Sequence, residues 1–162
     1  RQPVGVCAAI APFNFPAMVP FWFLPFAIAC GNTFVLKPSE QVPMTQALVF
    51  ESIDELGRPD GVVNLVNGGR EVVEGILDHP DIDAISFVGS AAVGKHIYST
   101  AALNGKRVQC LTEAKNHALI LRDAELDIAA QRITNSTFGC AGMRCMAWKI
   151  NLSGVMPSAN AS

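Results

Sequence analysis

Short apolar runs alternate with longer mixed ones along this chain, and proline and glycine punctuate the joins. Residues 4–11 form an apolar run closed by Pro12, the pattern of a buried strand. Pro16 stands where a helix begins, since its fixed φ and missing N–H suit a first turn. Pro20 and Pro25 predict a broken or kinked helix there, and Gly31 closes it. Residues 33–36 read as a second strand. A helix over 43–56 follows, stopped by Gly57 and the turn 58–61, and 62–66 is a third strand. A short helix at 71–77 ends near His79-Pro80, and residues 84–88 are a fourth strand. The Gly89-Ser90 turn then leads into a helix over 91–103. Residues 107–111 and 118–121 predict two further strands. A last helix starts near 123–127 and runs toward Thr137.

Strands regularly separated by helices imply βαβ units. The expected fold class is therefore α/β, a Rossmann-like parallel sheet with right-handed crossovers and helices on both faces. The strands are apolar throughout instead of alternating, which agrees with a sheet covered on both sides. No internal repeat or low-complexity segment interrupts this order. The tail from Lys149 is small, polar and without period, and is expected to be frayed or disordered.

Composition narrows the picture. The 162 residues, half of them hydrophobic, suit one globular domain with a usable core. A net charge of −2 without a Lys/Arg run gives no electrostatic basis for binding nucleic acid or an anionic membrane. A phosphate-bearing cofactor stays open, because helix N-termini bind phosphate without net positive charge. Residues 4–30 carry almost no charge and are long enough to span a bilayer. Pro12, Pro16, Pro20, Pro25 and Asn14 interrupt them, and a strand, a turn and a buried helix explain the run better. The five cysteines are odd in number and form no C-x-x-C pair, so they read as free thiols of a reducing compartment. His79, His96 and His117 share no ligand spacing, and no metal site is expected. The chain opens at Arg1, which leaves a preceding targeting segment an open matter.

Candidate chemistry lies in the turns that follow strands, where a doubly wound sheet places its ligands. Three such turns are 12–16, 37–40 and 89–90; no G-x-G-x-x-G occurs. Asn67-Gly68-Gly69 is a weak glycine turn that a hairpin or a helix cap explains equally well. At Gly89-Ser90, glycine permits close backbone approach and Ser90 can cap the following helix. Phosphate binding and plain capping stand level there. Lys37 reads either as a solvated surface lysine or as a ribose or phosphate contact. Cys145, beside Arg144 in a glycine-containing turn after a helix, is a candidate nucleophile. The ordinary role of a free cysteine, a small buried hydrophobe, is assigned to Cys7, Cys30 and Cys110. Cys140 lies closer to the turn but has no adjacent cation.

Four segments, in order and at suitable separations, make residues 1–147 resemble the aldehyde dehydrogenase superfamily. They are Pro12-Phe13-Asn14-Phe15-Pro16, Lys37-Pro38-Ser39-Glu40, Phe87-Val88-Gly89-Ser90 and Gly142-Met143-Arg144-Cys145. The resemblance implies a catalytic thiol at Cys145 and an oxyanion-holding amide at Asn14. It also implies an NAD site at Phe13, Lys37, Ser39, Glu40, Gly89 and Ser90, with Lys37 and Glu40 on the adenosine ribose. Within the superfamily the chain is most similar to the coenzyme-A-acylating methylmalonate-semialdehyde dehydrogenase branch. Phe13, Lys115-Asn116-His117 and Arg144-Cys145-Met146-Ala147 carry that similarity.

Hydrolytic members have a general-base Glu in Glu-Leu-Gly-Gly-Lys, and alignment on Lys115 puts Leu111 at that position. Hydrolysis of an acyl enzyme should then be slow, leaving coenzyme A as the acceptor. Arg144 is the expected partner of a substrate carboxylate. Two departures stand out: Glu113 replaces a family glycine, and Met143 replaces the usual Gln. The resemblance implies residues 1–111 as a partial NAD-binding domain, 112–147 as the start of the catalytic domain, and 148–162 as a tail outside the family. The expected function is oxidation of a malonate- or methylmalonate-semialdehyde-type aldehyde to an acyl-CoA, with the chain an incomplete copy. The alternative is a catalytically silent nucleotide-binding or partner-binding fragment. A complete parent would be a homo-oligomer, mitochondrial in a eukaryote and cytoplasmic in a bacterium.

Overall fold

The computed structural model describes residues 2–153, whose chain divides into two compact units, Arg1–Thr112 and Glu113–Ser162. In the first unit, strands β1 (Val6–Ile10), β2 (Thr33–Lys37), β3 (Val63–Leu65), β4 (Ile82–Val88) and β5 (Arg107–Leu111) form one sheet. Its order is β3-β2-β1-β4-β5 and every adjacent pair is parallel. The connecting helices are α1 (Leu24–Ala29), α2 (Pro43–Asp54), α3 (Arg70–Asp78) and α4 (Ala91–Leu103).

The chain winds outward from β1 to β3, then returns to the other side of β1 for β4 and β5. That reversal makes the β1/β4 boundary a topological switch point, where successive connections part and leave a crevice at the carboxyl ends of the strands. Ile10 stands level with Lys37 on one side and Phe87 on the other, so the turns after β1, β2 and β4 share one edge.

Alternation along β1 divides two cores. Ala9 and Ala11 join Phe34, Leu36 and Phe50 in one, while Ala8 and Ile10 join Leu77, Ile85, Phe87 and Ile97 in the other. Both faces are dry, which accounts for strands that are apolar at consecutive positions. The proline-rich stretch after β1 is broken as its sequence predicts. A 3-10 turn at Pro20–Trp22 precedes the short α1. Gly31 ends it in the left-handed region (φ 80°), and its N–H donates to the Ile28 carbonyl.

Asn32 ties that helix end to the start of β1. Its Oδ1 accepts from the N–H groups of Val4 (2.6 Å) and Gly5 (3.0 Å), and its Nδ2 donates to the Ala27 carbonyl (3.0 Å), with the residue 7% exposed. Asn32→Ala strands two donors and an acceptor, so stability should fall by about 2–4 kcal/mol. Urea unfolding followed by tryptophan fluorescence measures this, and a loss under about 1 kcal/mol would mean that water replaces the side chain.

The second unit holds β6 (Asn116–Ile120), α5 (Leu126–Phe138), a 3-10 turn (Gly139–Gly142) and β7 (Trp148–Ser153), with β6 and β7 parallel. The break between units falls after Thr112. Strand β7 corrects the expectation of a structureless tail from Lys149; residues 154–162 of that tail lie outside the described residues. Among the described residues, no helix is long and apolar enough to cross a membrane.

Candidate functional site

The carboxyl ends of β1, β2 and β4 open onto one cavity of about 600 Å³, lined by Phe13, Lys37, Ser39, Glu40, Gly89 and Ser90 among others. Six residues picked from three separate turns thus share one wall system, because parallel strands in register deliver their following turns to the same edge. A hollow of about 490 Å³ lined by Asp83, Gly105 and Arg107 involves none of these turns.

Lys37 ends β2 and is 4% exposed. Its ammonium is not a solvated surface charge; Nζ pairs with Glu40 Oε2 at 2.9 Å. The hydrogen bond from Lys37 holds the Glu40 carboxyl below the usual carboxylate range. A depressed folded pKa gives a contribution present above the unfolded value and lost as pH falls through the folded one. Carboxyl NMR titration should therefore place the Glu40 midpoint below about 4.3 and raise it in Lys37→Met, leaving only the smaller backbone contribution. A midpoint indifferent to that substitution would break the assignment.

Gly89 is explained by contact. A Cβ there would meet the Phe87 ring, with Cε2 at 3.0 Å. Ser90 occupies the N-cap position of α4, yet its side chain makes no capping hydrogen bond. The capping reading of Ser90 is thereby corrected: the first-turn amides of α4 have no side-chain cap, and they start beside the cavity. The glycine turn at 67–69 takes the opposite role. The Glu71 carboxylate accepts the Gly69 N–H at 2.8 Å, and its own and Gly69's backbone amides lower its pKa.

Three further lining residues, absent from the sequence candidates, form a cluster. His96 Nε2 lies 3.0 Å from Glu74 Oε2, and Arg70 Nε donates to Glu74 Oε1 at 3.1 Å. The cluster joins α3 to α4, and hydrogen bonds from His96 and then Arg70 lower the Glu74 carboxyl. The Arg70–Glu74 spacing of four is a legible helical pair. His96, 22 residues further on, gives no local signal.

Asn14 is half-buried in the turn after β1 and is not among the residues that line the cavity. Gln46, 1% exposed on α2, donates from Nε2 to the Pro16 carbonyl and so anchors the end of that turn. Leu111 ends β5, and its carbonyl accepts the Gly89 N–H at 3.1 Å. Glu113 does not adopt a left-handed backbone, so the position does not demand glycine; its carboxylate pairs with Lys115 at 3.5 Å in solvent.

In the second unit, α5 gives way to an unusual turn. Cys140 (φ 53°), Ala141 (φ 52°) and Gly142 (φ 72°) are successively left-handed. Each non-glycine residue held so costs about 1–3 kcal/mol, and such strain gathers at functional turns. Arg144 Nη2 donates to the Asn135 carbonyl at 2.6 Å, closing the C-terminal end of α5 with a cation. The guanidinium lies over Gly139, where any Cβ would collide with it. Beyond Arg144, the Ala147 N–H donates to the Arg144 carbonyl at 3.0 Å, which makes Cys145 and Met146 the central residues of a β-turn. Cys145 is half-buried, and its N–H has no hydrogen-bond partner among the described residues.

The other thiols differ. Burial raises the Cys7 pKa, helped by the Asp83 charge, and burial raises that of Cys110. Cys140 is exposed, and so is Cys30, against its expected burial. Among the described residues no group of His, Cys, Asp and Glu is arranged to hold a metal ion.

Comparison with known proteins follows the same lines. The model of the aldehyde dehydrogenase family matches residues 1–152, so the similarity runs past Ala147, where it was expected to stop. Malonate-semialdehyde dehydrogenase 2 of Geobacillus kaustophilus is 58% identical over 147 residues, 91% of this chain and 30% of that protein. The crystal structure of methylmalonate-semialdehyde dehydrogenase from Oceanimonas doudoroffii is 49% identical, with a TM-score of 0.91 over 94% of this chain and 31% of that one. The NAD+ complex of an aldehyde dehydrogenase from Bacillus cereus is 35% identical, with a TM-score of 0.91 over 95% of this chain and 32% of that one. The chain spans about 30% of the length of the curated relatives it matches.

Proposed function

Because the chain belongs to the aldehyde dehydrogenase family, we propose that it carries the cofactor site and the nucleophile of an NAD-dependent, coenzyme-A-acylating oxidation of malonate or methylmalonate semialdehyde. The observation that carries this reading is the convergence of Phe13, Lys37, Ser39, Glu40, Gly89 and Ser90 on one switch-point cavity.

The residues present fit NAD. The uncapped first turn of α4 offers amides to a pyrophosphate, and glycine at position 89 keeps that approach free of a side chain. Lys37 donates and Glu40 accepts, the pair that two ribose hydroxyls require. Bound there, NAD supplies the acceptor for the hydride that leaves the aldehyde carbon.

The protein's own steps follow from the Cys145 turn. The thiolate adds to the aldehyde carbon, forming a C–S bond and placing the carbonyl electron pair on oxygen. The Cys145 N–H, without a partner among the described residues, is assigned as a donor to that oxyanion, and the family resemblance gives the Asn14 side-chain amide the same role. Collapse of the oxyanion as hydride departs leaves a thioester on Cys145. The coenzyme A thiol then displaces Cys145, and a β-carboxylate substrate also loses carbon dioxide. Arg144, engaged with α5 through Nη2, is assigned to the substrate carboxylate through its remaining donors.

The test is NADH formation from malonate semialdehyde, NAD and coenzyme A by the chain completed to the length of its relatives. Absence of turnover in a folded protein that binds NAD would remove the substrate assignment. Asn14→Ala in that protein should lower kcat by roughly a hundredfold, the scale for one oxyanion donor, with NAD affinity unchanged. A parallel loss of NAD affinity would assign Asn14 to the cofactor instead.

A further inference from the structure

Asn116 opens β6, and its register with β7 shifts between positions 116 and 117, so its side chain is not an ordinary member of the ladder. Its Nδ2 donates both protons across the chain, to the Cys145 carbonyl at 2.6 Å and the Ala147 carbonyl at 3.0 Å. These carbonyls lie inside and just after the β-turn that the Ala147 N–H closes on Arg144. We propose that Asn116 is a positioning residue for the nucleophile: its amide clamps the Cys145–Ala147 segment and sets the direction in which Cys145 presents its thiol and N–H. The inference rests on reading Cys145 as the nucleophile.

The geometry leaves little slack. A peptide plane has one rotational freedom once its ends are placed, and a bond to the Cys145 carbonyl removes it. A second bond from the same nitrogen to Ala147 fixes the spacing of the 145–146 and 147–148 peptide planes. The Arg144 cap holds the entry of the turn to α5, and the Ser136 hydroxyl accepts the Trp148 N–H at 3.4 Å on its exit. Asn116 is the clamp between these two fixed points. Both carbonyls lie in part-buried contacts, where water can serve them once the side chain is gone. Removal should therefore loosen the turn without unfolding the unit.

The experiment uses the 162-residue chain with neither substrate nor cofactor. Amide hydrogen exchange and iodoacetamide alkylation are compared for wild type, Asn116→Ala and Asn116→Ser. In Asn116→Ala the Ala147 N–H should lose at least tenfold in protection and Cys145 should alkylate about threefold or more faster. The Met143 N–H, bonded to the Cys140 carbonyl in the preceding turn, should keep its protection, and exposed Cys140 its alkylation rate. Asn116→Ser, with one donor left, should fall between. Should Asn116→Ala also lose protection along β6 and β7, Asn116→Ser alone decides. Unchanged Ala147 exchange and Cys145 reactivity in a folded variant would overturn the clamp. Because no turnover is measured, this outcome is separate from the enzymatic reading, which stands or falls on NADH formation by the completed enzyme.

Discussion

Cys145→Ala in the completed enzyme should remove NADH formation by about four orders of magnitude or more, the scale on which loss of a covalent nucleophile is felt. Cys140→Ala should leave most of it. The contrast follows from where the five thiols sit. Burial raises the pKa of Cys7 and Cys110, disfavouring the thiolate that attack requires. Cys30 caps the short helix α1, and its N–H is bonded to the Phe26 carbonyl. Cys140 is exposed but lies in the left-handed part of the loop, one turn before the β-turn that presents Cys145. Cys145 combines a half-buried thiol with an N–H that has no partner among the described residues, a nucleophile and an oxyanion donor on one residue. Intact-mass spectrometry after mixing with aldehyde and NAD should show an acyl adduct in wild type and in Cys140→Ala, and none in Cys145→Ala. Turnover surviving in Cys145→Ala would end the covalent mechanism for this chain.

The second large effect concerns how the acyl group leaves. Steady-state NADH formation should be at least about a hundredfold faster with coenzyme A than without it, since a positioned general base contributes 10²–10⁴ and none is supplied at Leu111. The nearest carboxylate in sequence, Glu113, is turned to solvent beside Lys115. Without coenzyme A, the first turnover should still release one equivalent of NADH per Cys145 and then stall at the thioester. A thiol needs no such base, being nucleophilic as a minor thiolate near neutral pH. Equal steady rates with and without coenzyme A would make water the acceptor and discard the acylating assignment. Glu113→Gln then identifies the base: hydrolysis lost in that variant would make Glu113 its source.

The elements were largely legible because their signals are local. Pro16, Pro20 and Pro25 break the chain after β1 whatever lies around them, since the ring removes a donor and fixes φ. The helix at Ala91–Leu103 and the strand at Arg107–Leu111 coincide with the predicted spans, bounded by Gly89 and by Gly105 in the left-handed region. The cavity walls were legible for a related reason. In a parallel α/β sheet every turn that leaves a strand reaches the same edge, so naming the turns after β1, β2 and β4 already names neighbours.

Side-chain roles within those turns were less accessible. Ser90 is a good capping residue by type, yet its hydroxyl caps nothing. Lys37 reads in sequence either as solvated or as a cofactor contact, and only the packing around the end of β2 buries its stem and pairs its ammonium with Glu40. Cys30 sits in an apolar run that suggests burial, but it falls on the exposed end of α1.

By itself, the sequence determined the alternation of strands and helices, the edge on which the turns gather, the thiol in its glycine turn and the family to which they belong. The tertiary structure decided the strand order β3-β2-β1-β4-β5, the His96–Glu74 bridge, the Arg144 cap on α5 and the reach of Asn116 to a carbonyl 29 residues away. The physical difference is range. Propensity, capping and proline geometry act over a few neighbouring residues and leave marks in composition. A bond between distant residues depends on where two elements come to lie once both have packed, and neither residue carries any sign of its partner.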